Sequence, residues 1–413
     1  MEEKNGSGAL RSAFAIGSVC VLTYLMSYYM RNLLSVVTPQ LLNTAEYTEE
    51  SAALLSSVYM IVYAAGQLVN GTIGDYLKPK YMVLAGYLLG GTALTLFPLL
   101  PTGLPQVFCF ALLGFGFSML RGPLVKTISE NTLPGHARVC CVFLSVSGYF
   151  GPLLASLFSL FFDWRTVFSA SGVIAFATGV GAFLCLTLLE KKGVIRPYVR
   201  EASREKKETG LGAIFSVFRI PGFPAYMVIG IVTEIIGTSV SFWIPTFFHQ
   251  HLGFSEGVSG LIYSGVSLGK SVAPFACLLL FRLFGEDDTR LMRTMFCVSL
   301  GSFLLMLVVP FRWCQILLLL LALMSNSCAA SALWTIYIPG LAKSGRVSGA
   351  NGVLDGTGYL CASAANLMFA AVMRQAGWIG TIGTWAAVAL AGIVITLFIG
   401  RKKAAASALS DPS

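Results

Sequence analysis

Charged side chains are scarce: Asp, Glu, Lys and Arg together make up 11% of the 413 residues, against roughly 25% in an ordinary soluble domain. That shortage excludes one or two water-soluble domains. Histidine is scarcer still, with three in the whole chain, His136, His249 and His251, all in loops or at loop edges. The pair His249-Gln250-His251 lacks a third ligand, so no metal is expected there. No phosphate-cradling glycine loop, ATP motif or hydrolase elbow occurs. An enzyme is therefore not expected, nor a bound cofactor, and any work the protein does must run on gradients. Met1 to Leu10 has neither the charged start nor the small-residue cleavage site of a signal peptide, so the first helix is expected to be retained.

What is abundant is apolar surface. Hydrophobic residues are 56% of the chain and glycine numbers 43, a combination that suits closely packed transmembrane helices. Ten cysteines are present, but Cys20, Cys109, Cys185, Cys277, Cys297, Cys328 and Cys361 lie in apolar runs and read as reduced filler, without a structural disulfide. The net charge of +9 does not point to nucleic acid, because the basic residues sit in short gaps between apolar runs and not on one face.

A window of about 20 residues, enough to cross roughly 30 Å of hydrocarbon, finds twelve apolar spans. They begin near residues 12, 51, 80, 105, 139, 166, 222, 256, 292, 314, 347 and 378. Turn chemistry separates them, as in Lys78-Pro79-Lys80, Pro101-Thr102-Gly103 and Leu133-Pro134-Gly135. The expected fold is an all-α integral membrane protein, with twelve transmembrane helices in two six-helix, pseudo-symmetric halves. Residues 12–189 form the first half and 222–400 the second, joined by a polar loop at 190–221, with tails at 1–11 and 401–413.

Lysine and arginine set the orientation, because cytoplasmic loops retain positive charge. With the N-terminus inside, the inner segments hold 21 of the 28: Lys4, Arg11, Lys78, Lys80, Arg138, seven between Lys191 and Lys207, Arg219, Arg282, Arg290, Arg293, Lys343, Arg346 and Arg401 to Lys403. The outer loops hold Arg165, Arg312 and Arg374. Both termini are thus expected in the cytoplasm, in an inner or plasma membrane. Arg31, Arg121, Lys126 and Lys270 remain in or near the membrane.

Cations inside a bilayer are costly and mark a pathway or a partner. Tyr24, Tyr28, Arg31 and Ser35, at i, i+4, i+7 and i+11, form one polar stripe in span one. Lys270 lies midway along span eight with Tyr263 and Ser267 on its face, and Arg121 lies midway along span four with Ser118 one turn away. Against them stand Glu234 in span seven, on a stripe with Gly237, Thr238 and Ser241, and Asp355 in span eleven, flanked by Asn351, Tyr359 and Asn366. Three cations and two acids leave room for a bound anion. Arginine suits a carboxylate or phosphate through planar, bidentate donors, while lysine acts as a compact charge. Structural readings stay open beside this one: Arg121 as an interhelical anchor, and Lys270 paired with Asp355 or Glu234. Lys126 and Glu130, four apart at the inner end of span four, read as gate or surface charges.

Several motifs now point to a family. Gly71-Thr72-Ile73-Gly74-Asp75-Tyr76-Leu77-Lys78-Pro79-Lys80 resembles the loop between helices two and three of the major facilitator superfamily. In that loop Asp75, with Lys78 and Lys80, would act as a cytoplasmic gate. Gly148 to Pro152 resembles the glycine-proline bend of its antiporter members, and Asp163-Trp164-Arg165-Thr166-Val167-Phe168 resembles the start of its helix six. Within the superfamily, Tyr28-Tyr29-Met30-Arg31-Asn32, Trp243-Ile244-Pro245-Thr246-Phe247 and Gly345 to Gly352 followed by Gly377-Trp378 resemble the organophosphate and inorganic-phosphate antiporter family, in patches across both halves.

The resemblance implies a cavity lined by spans one, four, seven, eight, ten and eleven. It adds Trp334, Tyr337 and Asn351 to Arg31, Tyr24, Tyr28, Tyr263, Arg121 and Lys270 as residues facing substrate. Two departures stand out: Gly237 occupies the place of a second phosphate-binding arginine, and Leu144 and Ser145 that of a histidine. The expected function is secondary active transport of a small organic anion, phosphorylated or carboxylated, by alternating access. The partners expected are that anion, the bilayer, and a coupling proton or counter-anion, with the protein working as a monomer. In symport, Glu234 or Asp355 would carry the proton. A membrane sensor of the same anion, signalling through the loop from Lys191 to Gly210, is the alternative.

Overall fold

The computed structural model describes residues 2–73, 77–196, 217–220, 222–338 and 347–410. Asp75, the central loop from 197 and the Gly345-Arg346 segment lie outside the described residues, as does the side chain of Asn351. Every regular element among the described residues is helical.

Among the described residues, ten helices are long and apolar enough to cross a membrane: Gly8–Leu42, Pro79–Leu99, Leu104–Asn131, Val139–Phe161, Trp164–Lys191, Phe223–Gln250, Glu256–Leu283, Asp288–Val308, Arg312–Tyr337 and Val353–Gly400. Two further observations bring these to the twelve spans expected. Glu49–Ile73, 25 residues long, is span two, more polar than the rest because it carries two glutamates, Gln67 and Asn70. Its start is fixed by reciprocal capping, in which the Ser51 amide donates to Thr48 Oγ1 and the Thr48 amide donates to Ser51 Oγ. The last long helix, Val347–Ser410, is two rods joined at Gly377 (φ 62°, ψ −162°), a conformation that only glycine adopts at low cost. These rods are spans eleven and twelve.

Several spans are broken where the sequence supplies a reason. In span one the helix Glu2–Arg31 stops, and Leu33–Leu42 restarts after Asn32. The Asn32 side-chain amide donates to the Tyr28 carbonyl at 2.7 Å, competing with the main chain for that acceptor. Span eight breaks after Lys270, and its second segment restarts at Ala273 with Pro274 in its first turn, where a proline's missing N–H costs nothing. Within spans seven and ten, Ile235–Val240 and Leu333–Tyr337 are wound as π-helix. Such single-turn insertions sit disproportionately at functional positions.

The chain forms two compact units: Met1–Ser203 together with Phe248–Ser267, and Arg204–Phe247 together with Leu268–Ser413. In the first unit span one packs on span five, span two on span four, and span three on span six. Phe97, Phe110, Trp164 and Phe168 interlock by edge contacts with centroids 4.5 to 6.2 Å apart. The second unit has its own aromatic centre around Trp385, fully buried between Phe247, Phe303, Phe369 and Trp378. Hydroxyl groups within the spans mostly donate back to a carbonyl three or four residues earlier, as Thr38 does to Leu34 and Thr396 to Gly392. That satisfies them where no water is at hand.

Candidate functional site

The first unit holds Arg31 in an aromatic cage. Its guanidinium lies 4.9 Å from the ring centre of Tyr28, 5.8 Å from that of Tyr59 and 4.4 Å from that of Tyr63, within cation–π range. The guanidinium also donates to the Tyr63 hydroxyl at 3.3 Å. Tyr24 meets Tyr28 edge-on, with centroids 5.0 Å apart. Arg31 and Arg121 both lie within electrostatic reach of the Tyr24 phenol. Arg121 itself is exposed although it opens the second half of a membrane-length span.

Span one is seated by two glycines. A methyl group on Gly148 would sit 3.0 Å from the Tyr28 ring, and one on Gly151 would sit 2.6 Å from the Tyr28 main-chain carbon. The glycine-proline segment of span five thus sets the depth at which Tyr28 and Arg31 lie. At the residue after Arg31, the Tyr263 hydroxyl donates to Asn32 Oδ1 at 3.2 Å. Ser156 Oγ donates to the Gly260 carbonyl at 2.7 Å, which fastens the start of span eight to span five within the same unit. Tyr28, Arg31 and Tyr263, all expected at the site, are therefore brought together.

Tyr59 and Tyr63 were not anticipated. They stack with centroids 5.8 Å apart and planes 18° from parallel, and both are buried. The signal was available: Ser56, Tyr59, Tyr63, Gly66 and Asn70 repeat at helical spacing along span two, the same kind of stripe that singled out Arg31.

The second unit holds the other cation. Lys270 is 8% exposed, and among the described residues its ammonium has one polar partner, the neutral Ser241 Oγ at 3.1 Å. The ion pair with Glu234 or Asp355, open from the sequence, is not formed. Lys270 ends the helix Glu256–Lys270, where unpaired carbonyls favour a cation. Ser241 follows the π-turn that contains Gly237, so the ammonium reaches a hydroxyl one helical turn from Gly237.

Glu234 precedes that π-turn and packs against Gly358, whose added methyl would lie 3.1 Å from its side chain. Asp355 is half-buried one turn before Gly358. Trp334 is half-buried inside the second π-turn, and Tyr337 at its end stacks on Tyr226. Of the residues expected to gate, Lys80 pairs with Glu190 at 2.5 Å inside the first unit. Lys78 and Lys126 are half-buried, and Glu130 is exposed.

Helical rods of membrane length, in two units that each hold a cation within a span, half-buried at Arg31 and buried at Lys270, define a multi-pass membrane protein with a polar interior. The chain belongs to the Major Facilitator Superfamily, whose family model matches residues 20–363, a family of membrane transporters and not of enzymes. It is 22% identical over 175 residues to the inner membrane transport protein YnfM of Escherichia coli K12, covering 41% of each chain. It is 25% identical over 185 residues to the MFS-type transporter VdtG of Byssochlamys spectabilis, covering 43% of this chain and 33% of that one. These matches span less than half the length of either relative. Among solved structures, a bacterial homologue of the lysosomal transporter Spinster matches with TM-score 0.70 and 13% identity, over 94% of both chains. A D-xylose-proton symporter matches with TM-score 0.71 and 14% identity, over 93% of this chain and 96% of that one. The nucleoside transporter NupG matches with TM-score 0.69 and 16% identity, over 93% and 98%.

Proposed function

We propose that this protein is a secondary transporter that carries a small organic anion, phosphorylated or carboxylated, by alternating access. The observation that carries the reading is Lys270, a buried mid-span cation whose one polar partner among the described residues is a neutral hydroxyl. Burying an ammonium without a counter-charge is expensive, and an anionic substrate supplies that charge. Arg31 in its tyrosine cage is the planar, bidentate anchor, and Arg121, exposed within its span, adds positive charge that draws anions in. The patches that resemble organophosphate antiporters favour an anion, while the functions named for the structural neighbours, which include D-xylose and nucleoside carriers, support transport alone.

The distribution of lysine and arginine supports both termini on the cytoplasmic side of a cell membrane. Coupling runs either by exchange, in which the cationic site resists crossing empty, or by proton symport through Glu234 or Asp355. The test is flux into sealed proteoliposomes of inorganic phosphate, sugar phosphates, mono- and dicarboxylates and neutral sugars, with and without a pH gradient or internal anion. Uptake of one anion class is expected. Uptake of neutral sugars alone overturns the reading, and anion binding without flux moves the protein to a sensor.

A further inference from the structure

The Tyr59 phenolic oxygen is buried and has no hydrogen-bond partner among the described residues. A buried hydroxyl is normally satisfied, and one that is not calls for an explanation. The ring cannot easily turn away. A methyl on Gly114 of span four would lie 2.6 Å from the Tyr59 carbonyl, so the turn carrying Tyr59 is pressed against that helix, while its ring is stacked on Tyr63. The Arg31 guanidinium lies over the same pair of rings.

We propose that Tyr59 is a specificity-determining residue, whose O–H is held in reserve for a third oxygen of the transported anion. The inference rests on the anion reading of the Arg31 site. A guanidinium fork engages two oxygens of an anion in its own plane, which is all that a carboxylate has. A tetrahedral oxyanion, phosphoryl or sulfonyl, presents at least one more oxygen out of that plane, and a donor on the neighbouring span takes it. Selectivity then comes from an unmet hydroxyl: a planar anion leaves it unpaired and a tetrahedral one does not.

The test is isothermal titration calorimetry of the full-length protein in detergent with inorganic phosphate, glycerol phosphate and lactate, on wild type, Tyr59→Phe and Tyr63→Phe. Thermal unfolding without ligand is measured alongside. Tyr59→Phe is expected to unfold at the wild-type temperature or higher, to bind the two phosphates about tenfold more weakly, and to bind lactate within about twofold of wild type. Tyr63→Phe, which removes a partner of Arg31, is expected to weaken all three. Unchanged phosphate affinity in Tyr59→Phe overturns the assignment, as does an equal loss for lactate. A fall of several degrees in the ligand-free protein also overturns it, because the hydroxyl is then structural. If wild type binds lactate alone, Tyr59 loses this role while the anion reading stands; if wild type binds no anion, both fall.

Discussion

Gly151 of span five faces the main chain of Tyr28 so closely that a single added methyl group would come within 2.6 Å of it. This contact fixes where the first span sits, and Arg31 lies one turn further along. Gly151→Ala must therefore push span one outward. Overpacking of this kind costs about 1–3 kcal/mol, read as a lower unfolding temperature in detergent together with weaker anion binding. Gly181→Ala, at a position with no atom within 4 Å of the added methyl, is the matched control and should change neither. Equal behaviour of the two variants would show that span one is positioned by something else.

Arg31→Gln removes both the bidentate donor and the cation above three tyrosine rings. Anion binding should fall by at least about 30-fold, since hydrogen bonds to charged groups contribute roughly 1.5–3 kcal/mol each. The folded protein should survive, with a loss on the order of 1 kcal/mol from the cation–π contacts. Normal affinity in this variant would take Arg31 out of the site.

Lys270→Met keeps the length of the side chain and deletes its charge. Because no carboxylate among the described residues pairs with Lys270, the ligand-free protein should be as stable as wild type or more so, while stabilisation by saturating anion disappears. Wild type at about 100 times the dissociation constant should gain roughly 2.7 kcal/mol, a thermal shift that is easy to score. A variant that fails to fold would make Lys270 structural.

Asp163 caps the helix of span six from outside the membrane. Its carboxylate accepts the Thr166 hydroxyl at 2.6 Å and the amides of Arg165 and Thr166, and these bonds hold its pKa below the usual carboxylate value, the Thr166 hydroxyl foremost. The folded-state value is the lower one, so the contribution is complete above the ordinary carboxyl range and is lost as pH falls through the lowered value. Asp163→Asn still caps but does not titrate. The gap in unfolding temperature between wild type and this variant should therefore be constant at neutral pH and shrink below about pH 4. A gap independent of pH would show that the charge contributes nothing.

Much of this was legible in the sequence because bilayers impose length and hydropathy on every span. The stripe through Tyr24, Tyr28 and Arg31 was readable because helical spacing is local. Tyr59 and Tyr63 were as readable in principle, but span two carries no buried cation to draw attention to its stripe. What periodicity does not contain is the identity of neighbours. The partner of Lys270 depends on how span eight meets span seven past a π-turn, and no spacing rule foretold Ser241 in place of Glu234. The intimacy of Gly151 with Tyr28 was marked only as a motif, and its reason is visible in the packing alone.

The single-residue junction at Gly377 has a mechanical consequence. Spans eleven and twelve are joined without a loop, so there is no slack between them. Any tilt of the span that carries Asp355 has only the backbone torsions around Gly377 to absorb it before span twelve begins.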